Sequence, residues 1–258
     1  MHLQDYWIIY YTLLRKEIVR VLRIWPQTLL PSVITITLYF LIFGKVVGAR
    51  VGSMEGFDYM QFITPGLIIM AVINNAYANV VGSFYGARFN RSIEELLVSP
   101  ANNHLIILGY LSGGVARGTG VGIMVSIIAF FFGGFSHTHD PLLILLAFLL
   151  CGTLFSLGGL LNGIFSQKFD DTTLFPTFIL TPLIYLGGVF YSLNSLPPVW
   201  QTVAQLNPLF YIVDFVRFAF LGASSMNPWI AFITIILFIA ALYYLSWFLL
   251  SRGVRLKA

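Results

Sequence analysis

Charge is scarce in this sequence. Of 258 residues, 9% are Asp, Glu, Lys or Arg, where soluble domains carry about a quarter. A mean hydropathy of +0.87 with 58% hydrophobic residues excludes an ordinary soluble domain and points to a bilayer. Cys151 is the single cysteine, so no disulfide framework forms within the chain and the redox compartment stays open. The four histidines, His2, His104, His137 and His139, and the ten acids all lie outside the long apolar runs. Ionisable groups are costly inside a membrane and are kept there for use, so their absence argues against a proton-coupled transporter and an intramembrane hydrolase. No GxxxxGKS/T loop is present, since Gly44 and Lys45 are followed by Val46, and nucleotide is not bound by that motif. The HTHD turn at 137–140 offers too few ligands for a metal site. The opening MHLQDYWIIYYTLLRKE places its basic residues after its apolar ones, the reverse of a cleaved signal peptide.

Long apolar runs are what the chain does contain. Six are long enough to cross the hydrocarbon as helices: Trp25 to Gly44, Gln61 to Phe84, Val115 to Phe132, Pro141 to Phe165, Thr172 to Tyr191 and Trp229 to Leu250, each near the roughly 20 residues a span requires. A barrel would instead show alternating ten-residue segments. The expected fold is therefore all-α and polytopic, with six spans between residues 25 and 251. Arg117 is the one charged residue inside a run. Basic residues divide unevenly. Arg15, Lys16, Arg20, Arg23, Arg88, Arg91, Lys168 and the three of the tail at 252–258 fall on one side of six alternating spans, against Lys45, Arg50 and Arg217 on the other. That bias places both termini in the cytoplasm, and it makes the net charge of +4 a matter of topology rather than of nucleic acid. Within residues 1–24, Leu3, Trp7, Tyr10, Leu14, Ile18, Val21 and Trp25 recur at helical spacing opposite Asp5, Thr12, Lys16, Arg20 and Arg23. This predicts an amphipathic helix on the inner leaflet, either a basic lipid anchor or an elbow that passes force to the spans.

The segment ARFNRSIEELLVSPANNH, residues 87–104, gathers charge between the second and third runs. Ser92 and Glu95 have the spacing of a capping box, and Pro100 ends a helix too short to stand alone. Adjacent Glu94 and Glu95 disfavour an anionic lipid surface, so a protein partner is expected. In the third run Gly114, Gly118 and Gly122 allow a close helix approach, while Arg117 is expected to snorkel to the interface or else to line a polar cavity. Asn75 and Asn79 share a helical face and either bond between helices or line a path. Residues 192–227 hold a run too short to span, with Asp214 and Arg217 at ion-pair spacing and prolines at its corners. A re-entrant helical hairpin fits.

FNRSIEELLVSP, PGLI at 65–68, NAYANV at 75–80, and TPLIYLGGVFYSL followed by LPPVW and LNP together resemble the permease subunits of bacterial ABC-2 type transporters, end to end. The resemblance implies an exporter subunit of a bacterial inner membrane with six spans, an N-terminal connecting helix and an outer re-entrant hairpin. It also implies a homodimer or paired subunits above two copies of a separate ATPase, which binds the ATP and Mg, so this chain has no cofactor or catalytic residue of its own. The coupling helix then falls on Arg91, Ser92, Ile93, Glu94, Glu95, Leu96 and Leu97, through Val98. A second contact falls on Gln167, Lys168, Asp170 and Asp171, where either Asp can also cap the fifth span. Asn75, Asn79, Thr181 and Tyr185 become candidates for the path.

Overall fold

A computed structural model describes residues 3–135 and 138–254; His2, His137 and the tail residues 255–258 lie outside them. Helix α1 (Leu3–Arg23) breaks at Ile24 and is followed by α2 (Trp25–Tyr39), a π-helical stretch Phe40–Val47 and α3 (Gly48–Val51), which continue one another as a 27-residue apolar helix. A short hairpin, β1 (Ser53–Met54) with β2 (Phe57–Asp58), leads into α4 (Tyr59–Phe89). Next come α5 (Ser92–Val98), α6 (Asn103–Phe131) and α7 (Pro141–Phe165). Helix α8 (Asp171–Phe175), a π-helical stretch Pro176–Leu180 and α9 (Thr181–Leu186) form one short continuous element. A 3-10 turn at Leu193–Ser195 precedes α10 (Pro198–Leu206), α11 (Pro208–Leu221) and α12 (Pro228–Ser251).

Among the described residues, five helices are long and apolar enough to cross a membrane, and six if α10 and α11, bent by 89°, count as one broken span. Backbone N–H and C=O groups have no solvent partner in hydrocarbon, so such a chain must satisfy them within helices. The run expected to span from Thr172 to Tyr191 is helical only as far as Leu186. From Asp171 that is about 24 Å at 1.5 Å per residue, and the turn that follows completes the passage along the bundle, with Phe169 against Tyr85 near one end of α4 and Val189 against Gly66 near the other. Gly187 and Gly188 end it, Gly188 adopting φ +81°, a left-handed conformation that glycine takes without steric cost.

The third span also departs from its apolar run. Helix α6 begins at Asn103, where the Asn102 side chain accepts from the His104 N–H at 3.3 Å, three turns before the expected Val115. Arg117 consequently sits at mid-helix. It does not snorkel outward: its guanidinium donates to Asn75 Oδ1 at 3.3 Å, because a charge that deep bonds inside the bundle more cheaply than it reaches water.

Helix α4 is the axle of the bundle, buried along most of its length between α6 and α7. The glycines of α6 explain the close approach. A Cβ at Gly118 would lie 2.9 Å from the Ala76 Cβ, one at Gly122 would lie 2.7 Å from Val72, and one at Gly114 would overlap Ser156 Oγ and Val80. Residues 72, 76 and 80 form the matching ridge of α4, the small-residue packing that lets helices associate without a hydrophobic driving force between them. A second glycine pair was not evident from sequence. Gly109 and Gly113 receive Leu13 and Glu17 of α1, at 2.7 Å from a hypothetical Cβ in each case.

Helix α1 thus docks on the bundle by a face centred on Leu13 and Glu17, its buried positions. Tyr10, Leu14, Ile18 and Val21 of the apolar stripe are half-buried beside them, Tyr10 sharing a hydrogen bond with Ser112 of α6 at 2.9 Å. Trp7, Tyr11 and Leu22 stay exposed and are free to meet lipid.

Candidate functional site

The end of the bundle that carries α5 is built from short, polar connections. Arg91, in the left-handed conformation at φ 59°, occupies the N-cap of α5 and has no side-chain cap bond. The expected capping box is therefore absent: Ser92 Oγ turns back to donate to the Ala87 carbonyl at 3.2 Å, closing the turn from α4 instead of capping α5. What holds the seven-residue helix is packing. Ile93 is buried in a cluster with Phe84, Ile106, Tyr110 and Ile164, with Leu96 and Leu97 packed at its edge. Arg91, Ser92, Glu94 and Glu95 are left facing outward, and Val98 is 88% exposed.

The second segment lies alongside. Arg88, one turn before α5, donates to the carbonyls of Gly163, Ile164 and Ser166 at 2.7, 2.9 and 2.9 Å. These carbonyls end α7, where helix termini leave acceptors unsatisfied and favour a cation. The Tyr85 and Phe169 rings meet edge to face, 6.2 Å apart. Asp171 does not cap its own helix. Its carboxylate accepts the N–H groups of Gln167 and Lys168 at 2.8 and 2.9 Å, which pulls it below the ordinary carboxylate value of 3.8 and folds the loop 167–171 into a tight turn. Asp170 stands at the N-cap without a side-chain bond. Lys168, Phe169 and Asp170 are exposed at this same end of the bundle, with Phe169 held against Tyr85 of α4.

From this end a polar stripe runs inward along α4 through Ser83, Asn79 and Asn75, at four-residue spacing. Glu17, 2% exposed, accepts from Ser83 Oγ at 2.6 Å and from Arg20 at 2.8 Å. Arg20 also donates to the Asn79 carbonyl at 3.1 Å and to its side-chain oxygen at 2.9 Å. Deeper still, Asn75 donates to Ser32 Oγ at 3.0 Å and accepts from Arg117. Three elements, α1, α2 and α6, are thereby tied to one face of α4. Asn75 and Asn79, expected on one face, are both buried, and they bond between helices in this conformation. The helical pattern of residues 1–24 alone turns Arg20 outward and does not single out Glu17. The signal lay in the coincidence of Leu13 and Glu17 with Gly109 and Gly113 at equal spacing.

The opposite end is closed by a turn. Arg217, 1% exposed, donates to the Gly188 carbonyl at 2.7 Å and lies 4.0 Å from the centroid of the Phe62 ring. A Cβ at Gly66 would stand 3.0 Å from Val189, so the glycine of PGLI lets this turn pack on α4. Glu55 accepts from Ser192 Oγ and from the Asn194 amide. The expected Asp214 to Arg217 ion pair is not formed. Glu17 and Arg20, by contrast, do form an ion pair, at 2.8 Å. Asp214 instead accepts from Ser224 Oγ at 2.6 Å and from the Ser225 N–H at 2.8 Å, since backbone and hydroxyl donors lie nearer to it. Below the turn, Tyr185 and Tyr39 share a hydrogen bond at 3.4 Å, and both rings lie against Phe190. Thr181 donates to the Pro176 carbonyl at 2.9 Å. The two helices that meet here both carry π-helical stretches, irregularities that concentrate at functional sites.

Comparison with known proteins decides what kind of protein has this arrangement. The sequence description of the ABC-2 type transporter family matches residues 9–221. The chain belongs to the ABC-2 type transporter family. It is 54% identical to the inner membrane transport permease YadH of Escherichia coli strain K12 over 258 residues, the whole of both chains. With nodulation protein J of Rhizobium leguminosarum bv. viciae it shares 23% over 220 residues, 83% of each chain. As an ABC-2 chain built of membrane-crossing helices, it is a multi-pass membrane permease of the ABC transporter kind.

Proposed function

We propose that this permease is the membrane half of an ATP-driven exporter in a bacterial inner membrane, working as a homodimer over two copies of a separate ABC ATPase. The end carrying α5 faces the cytoplasm, in keeping with the basic residues gathered there. ATP and Mg are bound and hydrolysed by the partner, and the permease supplies the path and the coupling. Export rests on the resemblance to ABC-2 permeases, and the inner-membrane location on the similarity to YadH.

The observation that carries this reading is the construction of the α5 end. A short helix is pinned by Ile93 and leaves Glu94, Glu95 and Val98 uncovered. Lys168, Phe169 and Asp170 are exposed at the same end, and Arg88 ties the end of α4, from which α5 follows, to the end of α7, from which the 167–171 loop follows. A push on either segment is delivered to two spans at once. Helix α1 supplies a third handle, through Glu17 and Arg20 on the polar face of α4. When the ATPases close, α1 and α5 move together, and the stripe at Asn75 and Asn79 separates from α1 and α2 to form part of the path, with Thr181 and Tyr185 on the facing helix. Cargo must bind the inward and outward forms unequally for its passage to be driven. The test is reconstitution with an ABC ATPase and measurement of ATP hydrolysis. Glu94→Arg and Glu95→Arg should uncouple hydrolysis from the permease while leaving it folded. Uphill transport in vesicles that contain no ATPase would refute the proposal.

A further inference from the structure

A slot runs through the membrane-facing side of the bundle, separate from the polar stripe. It has a volume of about 420 Å³ and lies between α4, α7, the 171–186 helix, α11 and α12, within the roughly 300–1,000 Å³ typical of small-molecule sites. Its wall along α7 extends from Phe165 to Leu154, roughly 16 Å at 1.5 Å per residue, so it is long and lies parallel to the helices. Phe165, Phe175 and Phe238 line it and are exposed on the outer surface of the bundle, which makes the lipid side its mouth.

Tyr77 is the unexplained group. It lines the slot, is 2% exposed, and its hydroxyl has no hydrogen-bond partner. Buried hydroxyls without partners are uncommon and call for an occupant. Asn162, which donates to the Thr172 carbonyl at 2.9 Å, is the polar side chain nearest the hydroxyl, although no bond within 3.5 Å joins the two. A water bridging them would fill only about 30 Å³ of the slot and leave its apolar length empty. An empty apolar slot would forfeit the dispersion contacts of its walls. The Tyr77 ring stacks on Phe175, 6.0 Å between centroids, and Phe175 lies one turn from the exposed Asp171. The hydroxyl is therefore close to the depth at which a glycerolipid carries its ester carbonyls.

We propose that the slot holds one acyl chain of a resident membrane phospholipid, with an ester carbonyl accepting a hydrogen bond from the Tyr77 hydroxyl. The chain lies along α7 and wedges the 171–186 helix against α4 and α12. The experiment uses the full chain in vesicles of phosphatidylethanolamine and phosphatidylglycerol, with a phosphatidylglycerol probe bearing a photoactivatable group midway along one acyl chain. Adducts are expected on the segment 154–165. Gly158→Leu fills the slot from α7, where a Cβ would meet only the Tyr77 ring at 3.8 Å, and Leu242→Trp narrows it from α12. Each should lower adduct yield about tenfold at unchanged thermal stability. Tyr77→Phe should lower the phospholipid retained through detergent washing, read by native mass spectrometry, roughly three- to tenfold, as expected for one hydrogen bond. Undiminished adducts in both filled variants would overturn the proposal. So would equal retention by Tyr77→Phe, or a Gly158→Cys variant that disulfide-links two copies of the chain.

Discussion

Replacing Glu17 by alanine should release the N-terminal helix from the bundle. In the folded chain its carboxylate takes one bond from Ser83 and two from Arg20, the closer at 2.8 Å, and hydrogen bonds to charged groups contribute about 1.5–3 kcal/mol each. Arg20 is 29% exposed and keeps its two bonds to Asn79. The loss is thus smaller than the roughly 3–5 kcal/mol for breaking a fully buried pair, and about 2–4 kcal/mol remains. With 1.4 kcal/mol per factor of ten, that is roughly a 30- to 700-fold rise in the undocked population of α1. Leu13, buried against Gly109, reports it directly. In a Cys151→Ser background, a Leu13→Cys thiol should react with a water-soluble maleimide faster by that factor when Glu17→Ala is added. Glu17→Gln, which keeps an acceptor for Ser83, should show a smaller rise. Labelling unchanged within about threefold in Glu17→Ala would mean that the buried ion pair does not hold α1, and the coupling role given to this helix would lose its basis.

Other consequences concern packing and the loop at 167–171. Gly114→Val should lower the melting temperature of the purified permease, costing about 1–3 kcal/mol by overpacking, whereas Gly120→Ala, with nothing within 4 Å of its Cβ, should be neutral; equal effects would discredit the close α4 to α6 seam. Arg88→Ala leaves the carbonyls of Gly163, Ile164 and Ser166 without their donor. Trypsin cleavage after Lys168 should rise by roughly 30- to 150-fold, for a loss of about 2–3 kcal/mol, and an unchanged rate would deny Arg88 its structural role. Asp171 has a depressed value in the folded loop because it accepts two backbone N–H groups. Its contribution is present above the ordinary value of 3.8 and is lost as pH falls through the lower folded value. Cleavage of the 167–171 loop by an acid-tolerant protease should be flat from pH 7 to 5 and rise only below about 3.8, and a rise near neutrality would contradict the assignment.

The membrane architecture was legible because hydrocarbon imposes one demand, and long apolar runs answer it. The run Pro141 to Phe165 is the whole of α7, and that from Trp229 to Leu250 lies within α12. Legibility failed where function interrupts the pattern. Helix α6 was read short because Gly109, Ser112, Gly113 and Gly114 depress its hydropathy, yet those small residues are there to admit α1 and α4. The 171–186 helix was read long because TPLIYLGGVFY is apolar throughout, and only packing against Gly66 reveals the turn at 187–189. Arg217 was paired with Asp214 on spacing alone. Burial gave each of them nearer partners from other elements, which no local interval encodes.

The most direct test of the account is capture of an ABC ATPase by the surface at α5. A photoreactive amino acid placed at Val98 or Phe169, both exposed, should crosslink to a co-expressed ABC ATPase subunit in membranes, while the same group at Ile127, an exposed residue of the α6 span, should not. Crosslinking to lipid alone at both Val98 and Phe169, with the ATPase present and active, would contradict it.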